Sequence, residues 1–531
     1  MRRKIFFISL VIVLLSPWAK SQNIGELFQK GLDSKDPKNE IYYFSMVINK
    51  DPGHVPAYFN RGNAKYKVHD FKGAVSDYSK VIELAPRDVT AYLYRGAAKT
   101  GLEDFEGAIS DYNRLSELDP GNSIGFFSIG VLRFNLKDYK GAIVDISKAI
   151  EIDPGNSDAI IRRGNSYARL MDFKSAIDDY SRAILLDSSN SMTYINRGIA
   201  RVNLLDYRGA LPDFSKAVDL APSNAICYFH RGNVEFNLKE YKSAISDFSK
   251  AILIDNNQSE AYFLRGNAEM IMNNFREADS DYSELIRIDP KDARAYYNKG
   301  RAETELHNYQ LAISAYSKAI VLVPDDYSSF YNRGNVKFDL QDYQGAIQDY
   351  SKVLVLDGKF ARAYYNRGCA SENLQDYQSA ISDFNKAIEF DQTEVTFYQN
   401  LSIVYYAQKE YAKAIEVNEK ALRLFPDNPK LLGNAGYCYM EMNDYKKAIE
   451  SLNKCLLVES KSHEIDAILG LSLAYYYDND KMNAVKYLHQ ARLVNPSLNQ
   501  GVAGLRDLEK SGFFCSEKGK VTLRKMFDEF R

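Results

Sequence analysis

Arginine and aspartate stand sixteen residues apart again and again in this chain: Arg61 with Asp77, Arg95 with Asp111, Arg163 with Asp179, Arg197 with Asp213, Arg231 with Asp247, Arg265 with Asp281, Arg333 with Asp349 and Arg367 with Asp383. A guanidinium and a carboxylate at constant offset have the chemistry of a forked, charge-assisted hydrogen-bond pair. The two vary together. Asp145 keeps its place while its arginine moves one helical turn on, to Arg133. Where Ala315 replaces the aspartate, the arginine site is Lys299, with Glu303 four residues on at helix-pair spacing. Where arginine gives way to Leu401 and Ala435, aspartate becomes Val417 and Ser451, and Tyr405 and Tyr439 arrive one turn on. The pattern predicts a structural ladder of ion pairs joining two helices, exchanged as a set for apolar packing toward the C-terminus. Removing one partner of such a pair strands a charge, at about 3–5 kcal/mol. The competing interpretation is a row of exposed charges on a wet face.

Residues for catalytic chemistry are not arranged for it. Of the histidines His54, His69, His230, His307, His463 and His489, no two are spaced as a helical metal pair. His69 and His307 occupy equivalent turn positions, and solvent-facing turn residues are expected. Asp119-Pro120-Gly121-Asn122 and Asp153-Pro154-Gly155-Asn156 lack the ligand alternation of a calcium loop. No glycine loop cradles phosphate and no nucleophile elbow is present. Cys227, Cys369, Cys438, Cys455 and Cys515 form no disulfide framework or zinc spacing. The first four fall on helical segments and suit small buried hydrophobes; pairing of Cys438 with Cys455 is the alternative. The expectation is no catalytic residue, no metal and no cofactor. A composite-site enzyme is the distant exception.

The elements that position these residues follow from a glycine every 34 residues: Gly62, Gly96, Gly130, Gly164, Gly198, Gly232, Gly266, Gly300, Gly334 and Gly368, skipping at Ser402 and returning at Gly436 and Gly470. An alanine follows twelve residues after each anchor, from Ala74 to Ala448, and only the last repeat breaks the spacing. A period in this range marks a stacked array. In one unit, Tyr58, Gly62 and Tyr66 stripe a first helix; Phe71, Ala74, Val75, Tyr78, Val81 and Ile82 mark a second, ended by Pro86. Glycine inside a helix costs about 1 kcal/mol against alanine. The compensation predicted here is close backbone approach between Gly62 and Ala74, with Tyr78 and its equivalents Tyr112, Tyr180, Phe214, Phe248 and Tyr282 filling the space beyond. One hairpin cannot bury both faces, so stacking completes the core.

These spacings resemble the tetratricopeptide repeat, over about residues 55–496 and thirteen units. A degenerate hairpin, residues 22–54, precedes them with Phe44, Val47 and Pro52 in register and Phe28 at the glycine site. The resemblance implies an all-α fold, a right-handed α-solenoid superhelix of helix-turn-helix hairpins. It implies that first helices line an inner groove, which the sites three before and one after the anchor face. The first set is Phe59, Leu93, Phe127, Ile161, Ile195, Phe229, Phe263, Tyr297, Tyr331 and Tyr365, before Gln399 and Gly433 end the row; the second includes Asn63, Asn165, Asn233, Asn267 and Asn335. Aromatic anchors beside amide donors and acceptors suit an extended peptide; the same residues also suit mere padding between helices. The carboxylate-binding version of this groove needs clustered cations, and only Arg301 stands at an asparagine-equivalent site.

At the N-terminus, Arg2, Arg3 and Lys4 precede an apolar run from Ile5 to Leu15 and then Ala19-Lys20-Ser21. This is the plan of a secretory signal peptide over residues 1–21, with Gln22 first in the mature chain; an uncleaved anchor is the alternative. No later stretch approaches membrane-span length. The net charge of −2 comes without a basic cluster, which argues against nucleic acid. Residues 497–531 predict capping helices, one striped by Leu498, Val502, Leu505 and Leu508 and one over residues 521–530. The expected protein is an exported scaffold, periplasmic, envelope-associated or secreted, that binds a protein or peptide. Self-association is compatible with such an array. The alternative is an accessory or assembly factor for an envelope enzyme or secretion complex.

Overall fold

A computed structural model describes residues 23–458, 464–510 and 516–530. The leader, His463 and Cys515 lie outside the described residues. Thirty α-helices, and no strand among the described residues, build the chain. The first hairpin is α1 (Ile24–Asp33) with α2 (Pro37–Lys50). Thirteen more follow, from α3 (Val55–Lys67) and α4 (Phe71–Leu84) to α27 (Glu464–Tyr477) and α28 (Lys481–Val494). The chain divides into two compact units, one ending at Ala261 and one beginning at Tyr262. Within each unit a second helix packs on its own first helix and on the first helix of the next hairpin.

The hairpin turn has one recurring geometry. A non-glycine residue takes the left-handed conformation, as at His69 (φ 61°), Leu205 (φ 61°) and His307 (φ 59°). The aspartate after it then caps the second helix, Asp70 accepting from the Gly73 amide at 2.9 Å. Helix identity therefore comes from amphipathic pattern and caps, while the turn conformation is imposed by the packed hairpin.

The anchor glycine works differently from the sequence expectation. A Cβ added at Gly62 would stand 2.7 Å from the Tyr78 ring, and at Gly334 2.8 Å from Tyr350. The nearest approach is thus to the aromatic sixteen residues on; at Gly130 the Ala142 carbonyl, twelve residues on, also comes within 3.2 Å of such a Cβ. These rings are the largest buried side chains of the array, with Tyr78, Phe214, Phe248, Tyr282 and Phe384 fully enclosed. In the first hairpin Gly31 meets the Phe44 ring, so the small residue is present but lies three positions later than the Phe28 register. At Ser402 the ring is gone, and Asn418 Nδ2 donates to Ser402 Oγ at 2.7 Å.

After the last hairpin a 3₁₀ turn, Pro496–Gln500, leads into α29 (Val502–Lys510) and α30 (Glu517–Glu529). Leu498, Leu505, Leu523, Met526 and Phe527 are fully buried in one cluster with Leu473 and Leu488. The second cap begins four residues earlier than expected, at Glu517, because Ser516 accepts from the Gly519 amide as its N-cap. Val521 faces solvent.

Candidate functional site

The arginines and aspartates meet. Nη2 to Oδ1 distances lie between 2.5 and 2.8 Å for Arg61–Asp77, Arg95–Asp111, Arg163–Asp179, Arg197–Asp213 and Arg231–Asp247 in the first unit. In the second they are 2.6 or 2.7 Å for Arg265–Asp281, Arg333–Asp349 and Arg367–Asp383. In each the Nε also donates to the same carboxylate, a fork between the two helices of one hairpin. Arg133 reaches Asp145 from one turn on. The aspartates are buried, Asp77 at 2 % exposure, so the wet-face alternative does not hold. At Asp281 burial outweighs the Arg265 guanidinium and pushes the carboxyl above its usual range.

The ladder has rungs the sequence expectation did not include. The arginine's remaining Nη1 donates to a serine on the preceding hairpin: Arg61 to Ser45, Arg95 to Ser79 and Arg163 to Ser147, each at 3.1 Å. In the second unit Arg333 donates to Ser317 (2.8 Å) and Arg367 to Ser351 (3.0 Å). One guanidinium thus ties a hairpin to its neighbour, which a 34-residue recurrence of serine would have announced. Except for Arg163, whose helix carries Ile160 at that site, each of these guanidiniums also lies about 5.6 Å from an aromatic ring on its own helix, such as Tyr58, Tyr92 or Tyr364. Lys299 makes the expected pair with Glu303, at 3.6 Å, and adds a closer one, at 2.5 Å, with Asp279 on the preceding hairpin.

Three residues after the anchor a second cation often joins the aspartate: Lys65 at 2.8 Å from Asp77 and Lys337 at 2.8 Å from Asp349. Three consecutive hairpins carry glutamate there instead. Glu269 and Glu303 accept from Asn274 (2.6 Å) and Asn308 (2.8 Å) at the turn. For Glu235 the turn residue is Glu240, which offers no side-chain donor, and Glu235 Oε2 is buried without a hydrogen bond. Burial, with Asp247 adding repulsion, pushes the Glu235 carboxyl up to about 7.

The first-helix face holds the aromatic row. Phe59, Phe127, Phe229, Phe263, Tyr297, Tyr331 and Tyr365 are half-buried, whereas Ile195 of the same series is enclosed. Each packs on local partners: Phe59 on Tyr78 (5.8 Å), Phe229 on Phe248 (6.2 Å) and Tyr331 on Tyr350 (6.0 Å between centroids). Arg162 lies over Phe127 (5.8 Å), and Arg294 lies over Phe263 (4.3 Å). Phe263, Arg294, Tyr297, Asn298 and Asp326 line a cavity of about 550 Å³ in the second unit. In the first, Asn165, Arg169, Tyr180 and Asn196 line one of about 520 Å³.

The asparagines are less open than the sequence suggests. The core tyrosine donates its hydroxyl to the carboxamide oxygen: Tyr78 to Asn63 (2.8 Å), Tyr180 to Asn165 (2.7 Å), Tyr282 to Asn267 (2.8 Å) and Tyr350 to Asn335 (2.9 Å). A buried hydroxyl needs a partner, which asparagine supplies in these four hairpins; where the site is Arg301, the Tyr316 hydroxyl lies 3.4 Å from Thr304 Oγ1 instead. Asn233 faces Phe248, which has no hydroxyl; its oxygen accepts from Asn237 instead. Burial raises the core phenols, keeping them neutral donors.

Other candidates take structural places. His54 Nδ1 accepts from the Ala57 amide at 3.2 Å, and His489 is exposed. His230 is not solvent-facing: it stacks on Phe214 at 5.3 Å, and burial lowers its pKa. Cys438 and Cys455 are buried as separate thiols, and Cys455 donates to the Pro429 carbonyl. Among the described residues no group of three or more His, Cys, Asp or Glu is placed to hold a metal, and no helix is long and apolar enough to cross a membrane.

Family models described as tetratricopeptide repeats match residues 59–122, 125–156, 195–261, 263–327, 334–375, 361–394 and 405–471, well over half of the chain. Among solved structures, MamA is 26% identical over 32% of this chain and 92% of its own, with a TM-score of 0.31. YrrB, described as a TPR protein with an unusual peptide-binding site, is 27% identical over 35% and 95%, with a TM-score of 0.33. The C-terminal part of a TPR repeat-containing protein from Cytophaga hutchinsonii is 17% identical over 45% and 97%, with a TM-score of 0.41. No curated protein matches the chain.

Proposed function

Because the chain belongs to the tetratricopeptide-repeat family, we propose that it is a non-enzymatic scaffold that binds an extended segment of a partner protein along its first-helix face. The observation that carries this is the cavity where Phe263, Tyr297 and the stacked Arg294 stand together with Asp326. Half-buried rings bring apolar area at small entropic cost, and the separate charges of Arg294 and Asp326 at their side fix polarity of approach. The carboxamide nitrogens of Asn267 and Asn335, their oxygens already satisfied within the hairpin, serve as donors to a peptide backbone. The ladder is not part of this surface. It makes the array stiff enough to present it.

The N-terminal pattern of residues 1–21 supports work in the cell envelope. Two measurements test the proposal. N-terminal sequencing of the protein recovered from the envelope fraction should begin at Gln22; a chain retained in the cytoplasm with Met1 intact removes the envelope role. Replacing Tyr297, Tyr331 and Tyr365 together with serine should abolish capture of the envelope proteins that the parent chain retains, at unchanged helicity. Unchanged capture would reject the face.

A further inference from the structure

One device repeats along the first-helix face of the second unit. Tyr297, Tyr331 and Tyr365 each lie against a core ring of their own hairpin, at 5.7 to 6.0 Å. Each phenol oxygen accepts from an asparagine of the next hairpin: from Asn332 at 3.0 Å, Asn366 at 3.0 Å and Asn400 at 3.2 Å.

The device stops on α23 (Val395–Ala407) and α25 (Pro429–Glu441). Gln399 stands where the next ring belongs, and its amide turns away to donate to Asn428 at 3.0 Å. Gly433 follows in the same series, with its nearest neighbour, Cys455 Sγ, 3.9 Å from where a Cβ would stand. Asn434, next in the asparagine series, therefore has no phenol to donate to among the described residues. A cavity of about 270 Å³ opens at this point. Ile403, Pro429, Tyr437 and Ala467 supply its apolar walls, and Gln399, Asn434, Lys430 and Asp466 its polar rim. The Tyr437 hydroxyl is already spent on the Asp466 carbonyl at 2.6 Å.

We propose that this cavity receives a tyrosine side chain from the partner peptide. The ring enters between Gln399, where this chain lacks its own ring, and Gly433, the hydroxyl accepts from Asn434, and the exposed Lys430 favours an acidic residue on its side of the tyrosine. The argument is chemical complementarity, since the same face shows three times over which group satisfies an asparagine in this position. Lys430, exposed at the rim, sets the charge of the flanking residue on its side of the cavity, and Asp466 lines the other side. The inference deepens the peptide-binding proposal and rests on it, but concerns hairpins outside the aromatic row.

The test uses the full mature chain and a blocked, fluorescein-labelled pentapeptide with tyrosine between two glutamates, followed by anisotropy. The parent chain binds it, and p-cresol competes. Gly433→Tyr fills the cavity from within and should weaken binding about tenfold or more. Asn434→Ala should weaken it roughly fivefold, the worth of one hydrogen bond, and by the same factor tyrosine should outbind phenylalanine at the central position. Equal affinity for central tyrosine and alanine, or unchanged binding by Gly433→Tyr, overturns the assignment; equal affinity for tyrosine and phenylalanine overturns the role of Asn434. Should Gly433→Tyr lose helicity, Ile403→Trp blocks the same space from the opposite wall. Loss of envelope capture in the triple tyrosine variant with peptide binding at Gly433 absent would leave the face standing and reject this pocket alone.

Discussion

Two stretches of the second unit solve one packing problem in different ways. In the hairpins of Arg333 and Arg367 a forked ion pair joins the two helices and a serine links the next hairpin. In the hairpins of Ser402 and Gly436 the same positions hold Leu401 with Val417, inside an apolar cluster, and Ala435 with Ser451, whose hydroxyl donates to the Leu432 carbonyl at 2.9 Å. The backbone is the same hairpin in both. The repeat geometry therefore does not need the ion pair; it needs a matched set. A buried guanidinium with carboxylate, serine and ring is one such set, and a leucine with valine is another. What differs is fault tolerance, because a half-replaced polar set leaves a charge in a dry interface while a half-replaced apolar set leaves only a void.

The largest expected effect tests that difference directly. Asp383→Val strands Arg367, whose fork reaches only Asp383, and should cost about 3 kcal/mol in chemical denaturation. Adding Arg367→Leu should recover most of it, reproducing the Leu401–Val417 set; additive losses in the double variant would break the comparison. Next is the glycine. Gly334→Ala gains helix propensity of about 1 kcal/mol yet forces a methyl into the Tyr350 ring, for a net loss of about 1–2 kcal/mol. The equivalent Ser402→Ala meets no ring, only the Asn418 amide, and should lose no more than that one hydrogen bond.

A pH effect comes third, because Glu235 is only half-buried. Its carboxyl titrates near 7 when folded, against about 4.3 for an exposed glutamate. The folded state thus holds this proton more tightly than the unfolded chain. The stability it contributes is complete below the unfolded pKa and lost as pH rises through about 7. Glu235→Gln should flatten that slope, and Glu235→Lys should restore the cation that Lys65 and Lys337 provide in their hairpins. Smallest is the turn. Leu205 is exposed at φ 61°, and Leu205→Gly should stabilise by roughly 1 kcal/mol, since glycine takes the left-handed region without the Cβ clash. A destabilised Leu205→Gly would mean that the turn is not held in this conformation.

The repeat period, the hairpins, both caps and the pairing of arginine with aspartate were legible in the residues, because each depends on local spacing repeated many times. Periodicity turns one ambiguous helix into thirteen concordant ones. The serine rung and the added contact of Lys299 with Asp279 were not legible, because they join neighbouring hairpins and depend on how far one stack is rotated against the next. The same limit governs the candidate face. Spacing identified Asn63 and Asn335 as amides on the right side of a helix. Only the packed rings showed that Tyr78 and Tyr350 already occupy their oxygens, which leaves donors rather than full amides toward a partner.

By itself the sequence determined the fold class and the register, since a fixed period of small, aromatic and apolar residues admits one stacking solution. Tertiary structure alone decided which side chain fills the anchor glycine's space, which carboxyl is left without a donor and where a cavity opens at Gly433. The physical reason is that hydrogen bonds and voids belong to pairs of surfaces in three dimensions, and a gap of one methyl or one hydroxyl between hairpins has no counterpart in linear spacing.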